Sequence, residues 1–257
     1  MYFLLVLRGA LRMALLGILL GVGVLLVLLA SFIPGRIQGV RVPAYVVWAI
    51  ARLSVWIFGI TYVCSDPALV QNHQGFIFCN HTSFLDTLMI LHLTPARFLS
   101  TKGVRKLPII GQLAVALETI FVNRYTDEGR AASRVQIAQQ LRASTYPPLA
   151  LFPEGKIGPG HTVLPFRYGA FEIAQQENIP ILPCVLVYQP LAVFSWYEKS
   201  DNLITMAWRL VTQPGKVQAR LIPLTVIAPQ TNADVAALAQ QVQQEIQATL
   251  SAAYGQQ

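Results

Sequence analysis

Three short strings hold the side chains of this chain that could do chemistry. The first is Asn80-His81-Thr82-Ser83-Phe84-Leu85-Asp86. It stands between a short apolar run, Gly75–Cys79, that fits a buried strand and a stretch from Phe84 to Leu93 that fits a helix. A histidine there sits in a loop at the carboxyl end of a sheet, where α/β proteins bind ligands. Asp86 falls in the first helical turn, where the positive helix end favours a carboxylate. Across such a junction the two can meet. The carboxylate then fixes the imidazole tautomer and leaves the far nitrogen as a general base, the His–Asp half of a triad. The same residues fit a plainer arrangement. Ser83 and Asp86 have capping-box spacing, and His81 would be a satisfied polar group at a strand end. Spacing alone leaves both open. Ser83 as a nucleophile lacks a GxSxG elbow.

The second string, Phe152-Pro153-Glu154-Gly155-Lys156, also leaves an apolar run, Leu149–Phe152. Glu154 is an ionisable group on a loop at the same sheet edge, and Gly155 permits close ligand approach. An ordinary strand-exit turn would look similar. It is not a P-loop, because the first glycine is missing and Ile157 stands where Ser or Thr belongs. The third string, Ile120-Phe121-Val122-Asn123-Arg124, puts a guanidinium at a strand exit, which suits phosphate. Lys102 also follows a strand-like run, Arg97–Ser100. Arg130, Arg134 and Arg142 fit a solvated helix face. His73, His92 and His161 are scattered without metal-ligand spacing, so no metal site is predicted. Cys64, Cys79 and Cys184 give no disulfide framework and read as buried free thiols.

Taken in order, His81-x4-Asp86, Phe121-Val122-Asn123-Arg124, Phe152-Pro153-Glu154-Gly155 and Ile179-Pro180-Ile181-Leu182-Pro183 resemble the four blocks of the glycerolipid acyltransferases. The nearest branch is the 1-acylglycerol-3-phosphate acyltransferases. Pro165-Phe166-Arg167-Tyr168-Gly169-Ala170 is similar to the segment that follows the third block, and the resemblance covers roughly residues 60–230. It implies His81 as general base on a glycerol hydroxyl, with Asp86 orienting it. The hydroxyl would attack the thioester of acyl-CoA or acyl-carrier protein, with no acyl-enzyme and no cofactor. Backbone N–H groups near the third block would stabilise the oxyanion. Arg124 would bind the acceptor phosphate, Glu154 and Gly155 would shape the acceptor site, Pro183 would wall the pocket, and an apolar tunnel would take the acyl chain. One departure stands out. The family's third block continues with Thr or Ser and then Arg, where this chain has Lys156 and Ile157. Lys156 supplies a charge one residue early, so a lysolipid with another headgroup is an alternative acceptor. A non-catalytic lipid-binding protein on the same fold is the rival class.

These strings need elements to position them. Strand-like runs alternate with helical ones: Thr119–Val122 and Ile181–Tyr188 as strands, Asp127–Arg142 and Tyr168–Asn178 as helices. Val217–Ile227 reads as strand, and a last helix begins near Asn232. In Asp127–Arg142 the apolar side is Val135, Ile137, Ala138 and Leu141. Alternation argues for an α/β layered domain with a mostly parallel central sheet flanked by helices. That domain is placed at 66–257, after a membrane-associated helical segment at 1–65.

The segment shows in the composition. The chain has 257 residues, 54% apolar and 12% charged, with a net charge of +7. An average domain is about a quarter charged. Disorder is excluded, and a nucleic-acid protein is disfavoured because the positive sign comes from scarce acids. Residues 1–65 hold five arginines and no acid, which suits anionic lipid. Met13–Ile33 carries no charge and is long enough to cross a hydrocarbon core of about 30 Å. It is too long for a signal-peptide core, so retention is expected. Val42–Cys64 is a second apolar stretch, broken by Arg52. A spanning hairpin and an in-leaflet pair with Arg52 at the headgroups both fit. The expected location is the cell membrane with the catalytic domain on the cytoplasmic face. The expected partners are membrane phospholipid, a lysolipid and the acyl donor.

Overall fold

A computed structural model describes residues 2–123, 126–195, 202–230 and 234–255. The chain opens with α1 (Tyr2–Ala30), a hairpin of β1 (Arg36–Ile37) and β2 (Val40–Arg41), and α2 (Val42–Phe58). Then come β3 (Ile60–Cys64), α3 (Pro67–Asn72), β4 (Phe76–Cys79) and α4 (Asp86–Leu93). Next are β5 (Arg97–Thr101), α5 (Lys102–Arg105), α6 (Ile110–Ala116), β6 (Ile120–Val122), α7 (Asp127–Ala143) and β7 (Leu149–Leu151). The last elements are α8 (Gly169–Gln176), β8 (Ile181–Gln189), α9 (Leu191–Phe194), α10 (Leu203–Thr212), β9 (Val217–Pro223) and α11 (Val235–Gly255).

Strands β3 to β9 form one seven-stranded sheet in the order β3-β9-β8-β4-β7-β5-β6. The pairs run parallel except β8 with β9. The expected α/β fold with a mostly parallel sheet is therefore present. β4 lies in the middle with all four side chains buried, as its continuous apolar run demands. Strand alternation divides them. Ile77 and Cys79 enter a core with α2, α4 and α10, and Phe76 and Phe78 enter one with α7, α8 and α11.

The boundary at residue 65 needs correction. The helix within Val42–Cys64 ends at Phe58, and Ile60–Cys64 crosses the break at Gly59 to become the edge strand paired with β9. Gly59 adopts a left-handed φ of 73°, which stops the helix. The N-terminal segment is thus continuous with the sheet. Helix α1 also begins earlier than the uncharged run, taking in Arg8 and Arg12. The Arg8 guanidinium donates to the Gln213 carbonyl, and Arg12 donates to the Phe58 carbonyl at 3.3 Å. In α7, Ile137 and Leu141 are buried as expected, but Val135 faces solvent, because the helix docks on a narrow stripe. Helices α5, α6 and α10 had no counterpart in the sequence reading.

α1 lies along the domain. Its buried residues are Gly9, Leu16, Gly23, Val27 and Ala30. A Cβ on Gly23 would stand 2.5 Å from the Ile50 side chain of α2, so the glycine leaves room for that side chain against α1. The opposite face, including Leu4, Leu11, Ile18 and Leu25, is exposed and apolar.

Candidate active site

The site stands at the carboxyl ends of β8, β4 and β7, adjacent strands in the sheet. Beyond β4, Asn80 continues the ladder with its side chain. Its Nδ2 donates to the Leu186 carbonyl at 2.9 Å, and its Oδ1 accepts the Leu186 N–H at 2.7 Å. That clamp to β8 sets where the next residue begins. His81 then turns its ring flat onto Phe152 at the end of β7, with centroids 4.1 Å apart and planes 9° from parallel. Its Nδ1 lies 2.7 Å from Asp86 Oδ2. The carboxylate makes Nδ1 the protonated nitrogen, leaving Nε2 with a free lone pair. Nε2 has no protein partner among the described residues.

Asp86 is fully buried. Its Oδ2 also accepts the N–H groups of Thr82 at 2.8 Å and Ser83 at 3.0 Å. Its Oδ1 accepts the Tyr188 hydroxyl at 2.5 Å. The two readings of this string therefore coexist: Asp86 caps the backbone ahead of α4 and orients the imidazole with the same oxygen. Ser83 is buried, its hydroxyl 3.5 Å from the Met206 sulfur and accepting the Leu85 N–H at 3.3 Å, so it cannot act as a nucleophile.

Glu154 has a different position from the one expected. It is buried, and its Oε1 accepts the His81 N–H at 2.6 Å while its Oε2 accepts the Leu164 N–H at 2.8 Å. It fixes the backbone of the histidine loop to the third block rather than offering a free carboxylate. Burial pushes its pKa up, against the lowering effect of those two N–H bonds. Gly155 has a φ of +71°, and the Arg167 Nε stands 2.5 Å from where its Cβ would be. Only glycine lets that guanidinium cross the block. Arg167 is exposed, forms no ion pair among the described residues, and lies against the block that lacks its usual arginine.

The remaining expectations divide. Lys102 is exposed at the start of α5, and Lys156 is exposed beside Gly155. Arg124 lies outside the described residues. Pro183 is inside β8 opposite Phe78, within the sheet rather than in the histidine loops, because β8 begins before the fourth block ends. The amides of Gly155 and Gly158 are occupied by the Phe152 and His81 carbonyls at 3.0 and 2.7 Å, so neither is a free oxyanion donor. Two surface hollows, of about 420 and 330 Å3, touch neither His81 nor Asp86. Arg97 is buried and donates to the carbonyls of Pro147 and Ser144 at 2.8 Å each, so it ties β5 to the turn that leads into β7. Burial lowers its pKa to about 10. Arg134 and Arg142 pair with Glu172 and Glu177, as a solvated face would. Cys79 and Cys184 are buried register neighbours across β4 and β8, Cys64 is half-buried, and all three are free. Tyr188 was missed: it stands far along the chain, and only the β4–β8 pairing brings it to Asp86.

A family model described as Acyltransferase matches residues 62–187, which hold His81, Asp86, Phe152, Glu154 and Leu164 and stop one residue short of Tyr188. Residues 62–187 belong to the acyltransferase family. The 1-acyl-sn-glycerol-3-phosphate acyltransferase alpha of Mus musculus is 31% identical over 167 residues, 63% of this chain and 54% of that one. The lyso-ornithine lipid O-acyltransferase of Pseudomonas aeruginosa is 28% identical over 176 residues, 66% of each. The chain spans about half the length of several acyltransferase relatives, 46% of one and 54% of another. The crystal structure of the 1-acyl-sn-glycerophosphate acyltransferase of Thermotoga maritima superposes with a TM-score of 0.73 at 15% identity, covering 98% of this chain and 95% of that one. That likeness is one of fold, and its coverage takes in the N-terminal helices as well as the sheet.

Proposed function

We propose that the chain moves a fatty acyl group from acyl-CoA or acyl-carrier protein to the free hydroxyl of 1-acylglycerol-3-phosphate, giving phosphatidic acid. The carrying observation is the His81–Asp86 pair with Nε2 left open. His81 Nε2 takes the hydroxyl proton as the oxygen attacks the thioester carbonyl. The tetrahedral adduct collapses, the C–S bond breaks, and the imidazolium returns its proton to the leaving thiolate. Asp86 stabilises the imidazolium between the two steps. No metal or cofactor enters.

For the acceptor phosphate, Arg167 and Lys156 beside Gly155 are the supporting cations, with Lys102 at the end of β5 and Arg124 assigned by the resemblance. The second reading keeps the chemistry and changes the headgroup. It is favoured by Ile157 and by the likeness to an enzyme named for lyso-ornithine lipid. Supplying mixed lysolipids with mixed acyl donors and weighing the products tests both. Phosphatidic acid as the main product supports the first, and its absence beside another acylated lipid supports the second. Thiol release that ignores added lysolipid would instead leave a hydrolase, and no thiol release with any lysolipid would leave a non-catalytic lipid binder. Arg167→Ala is expected to raise KM for the phosphate acceptor about tenfold, the loss of one charge-assisted hydrogen bond.

The same reading seats the chain in the cell membrane with the sheet on the cytoplasmic side, where thioester donors are made. α1 is long and apolar enough to cross a bilayer. The in-leaflet arrangement is better supported. The domain meets α1 near both ends, through α10 at Gly9 and through α6 near Val27, so a crossing helix would pull the domain in with it.

A further inference from the structure

Helix α10 has two faces and both are in use. Met206, Ala207, Leu210 and Val211 are buried, and Met206 reaches Ser83 in the histidine loop. On the other side Leu203 is 40%, Ile204 70% and Trp208 39% exposed. A capping box at Asn202 holds the helix start firmly, so this apolar face is presented by a fixed element.

Three observations say what covers that face. The first is continuity with the exposed face of α1. A Cβ on Gly9 would stand 2.5 Å from Thr212 and 3.4 Å from Trp208, so α10 is locked against the N-terminal third of α1. The second is level. The end of α10 accepts the Arg8 guanidinium at Gln213, and Trp208 packs against α1 at Gly9, the residue that follows Arg8. Tryptophan beside arginine at the end of an apolar surface is the composition of a membrane–water interface. The third is charge. Residues 202–216 contain Arg209 and Lys216 and no acid. Arg209 is turned inward to the carbonyls of Val193 and Ser195 at 3.2 and 2.7 Å, so the outer face of α10 stays apolar.

We propose that α10 is a second membrane-contact element, lying in the interface of an anionic bilayer with Leu203, Ile204 and Trp208 among headgroups and upper acyl chains. It then couples the lipid surface to the histidine loop through Met206. The inference rests on the reading of α1 as membrane-seated, and the test separates the two.

The full chain carrying Cys64→Ser is labelled with a nitroxide at Ile204→Cys and reconstituted in vesicles of phosphatidylcholine and phosphatidylglycerol. Ile18→Cys on α1 and Gln241→Cys on α11 serve as lipid and water references. The expected result is collision with oxygen exceeding collision with a water-soluble nickel chelate at both 204 and 18, reversed at 241. Lipid exposure at 18 with water exposure at 204 overturns the proposal alone. Water exposure at both overturns the membrane reading of α1 and the proposal with it. As a second measurement, Ile204→Glu with Trp208→Glu is expected to lower turnover of bilayer-borne lysolipid about tenfold while sparing a short-chain dispersed one. Equal loss on both substrates, or no loss on either, overturns it.

Discussion

Asp86 accepts four hydrogen bonds with no water contact: one from His81, two from backbone amides and one from Tyr188. Such a carboxylate cannot swing, so neither can the imidazole it holds. His81→Ala is expected to lower acyl transfer by about a hundredfold to ten-thousandfold with the fold retained, read as thiol release on lysolipid addition. Tyr188→Phe removes one donor to a buried carboxylate, a loss of about 1.5–3 kcal/mol. A kcat reduced tenfold or more at unchanged KM is the outcome that marks Tyr188 as positioning the pair. His81 and Asp86 were legible in the sequence because both belong to one strand-to-helix junction. Tyr188 was not, since its place depends on the register that sets Cys184 opposite Cys79. Glu154 was legible as a residue, but its bonds to the His81 and Leu164 amides were not, because a string does not show whether a carboxylate faces a ligand or an amide.

At the scale of elements, α1 turns one side to the domain. Gly9, Leu16, Gly23 and Ala30 recur every seven positions on that buried side, with Gly9 against α10 and Gly23 against α2. That period keeps one face of a helix against a neighbour. Gly23→Leu forces a side chain into Ile50 and is expected to cost about 1–3 kcal/mol, measured as a lower thermal midpoint in detergent micelles. A helix here was legible from hydropathy. Its partner was not, since an apolar run does not say whether lipid or protein covers it. α10 escaped for a related reason. With ten residues, it is too short for periodicity to stand out from the strands around it.

For the whole molecule, the sheet could be anticipated from alternating runs, but not the antiparallel turn of β9 onto β8. That pairing depends on which edge the chain returns to. The domain's stability should also depend on acidity. His73 is buried between α3 and β4, with Nε2 donating to the Phe76 carbonyl at 2.8 Å. Burial lowers its pKa from 6.5, the backbone bond opposing in part. The neutral form is therefore the one that folds. Its contribution is complete above pH 6.5 and is lost as pH falls through the lowered value. Denaturation midpoints should drop between about pH 7.5 and pH 5, and less steeply in His73→Gln.

The N-terminal helix is attached to the rest of the protein at Gly9, at Gly23 and near Val27. A catalytic unit fastened along its whole anchor has no freedom to rise, sink or tilt on the bilayer. Under the in-leaflet reading, the reacting nitrogen of His81 therefore works at one depth. An acceptor is then selected partly by how many bonds separate its hydroxyl from its buried chain, much as a plane set to one cut takes only the wood that stands at that height.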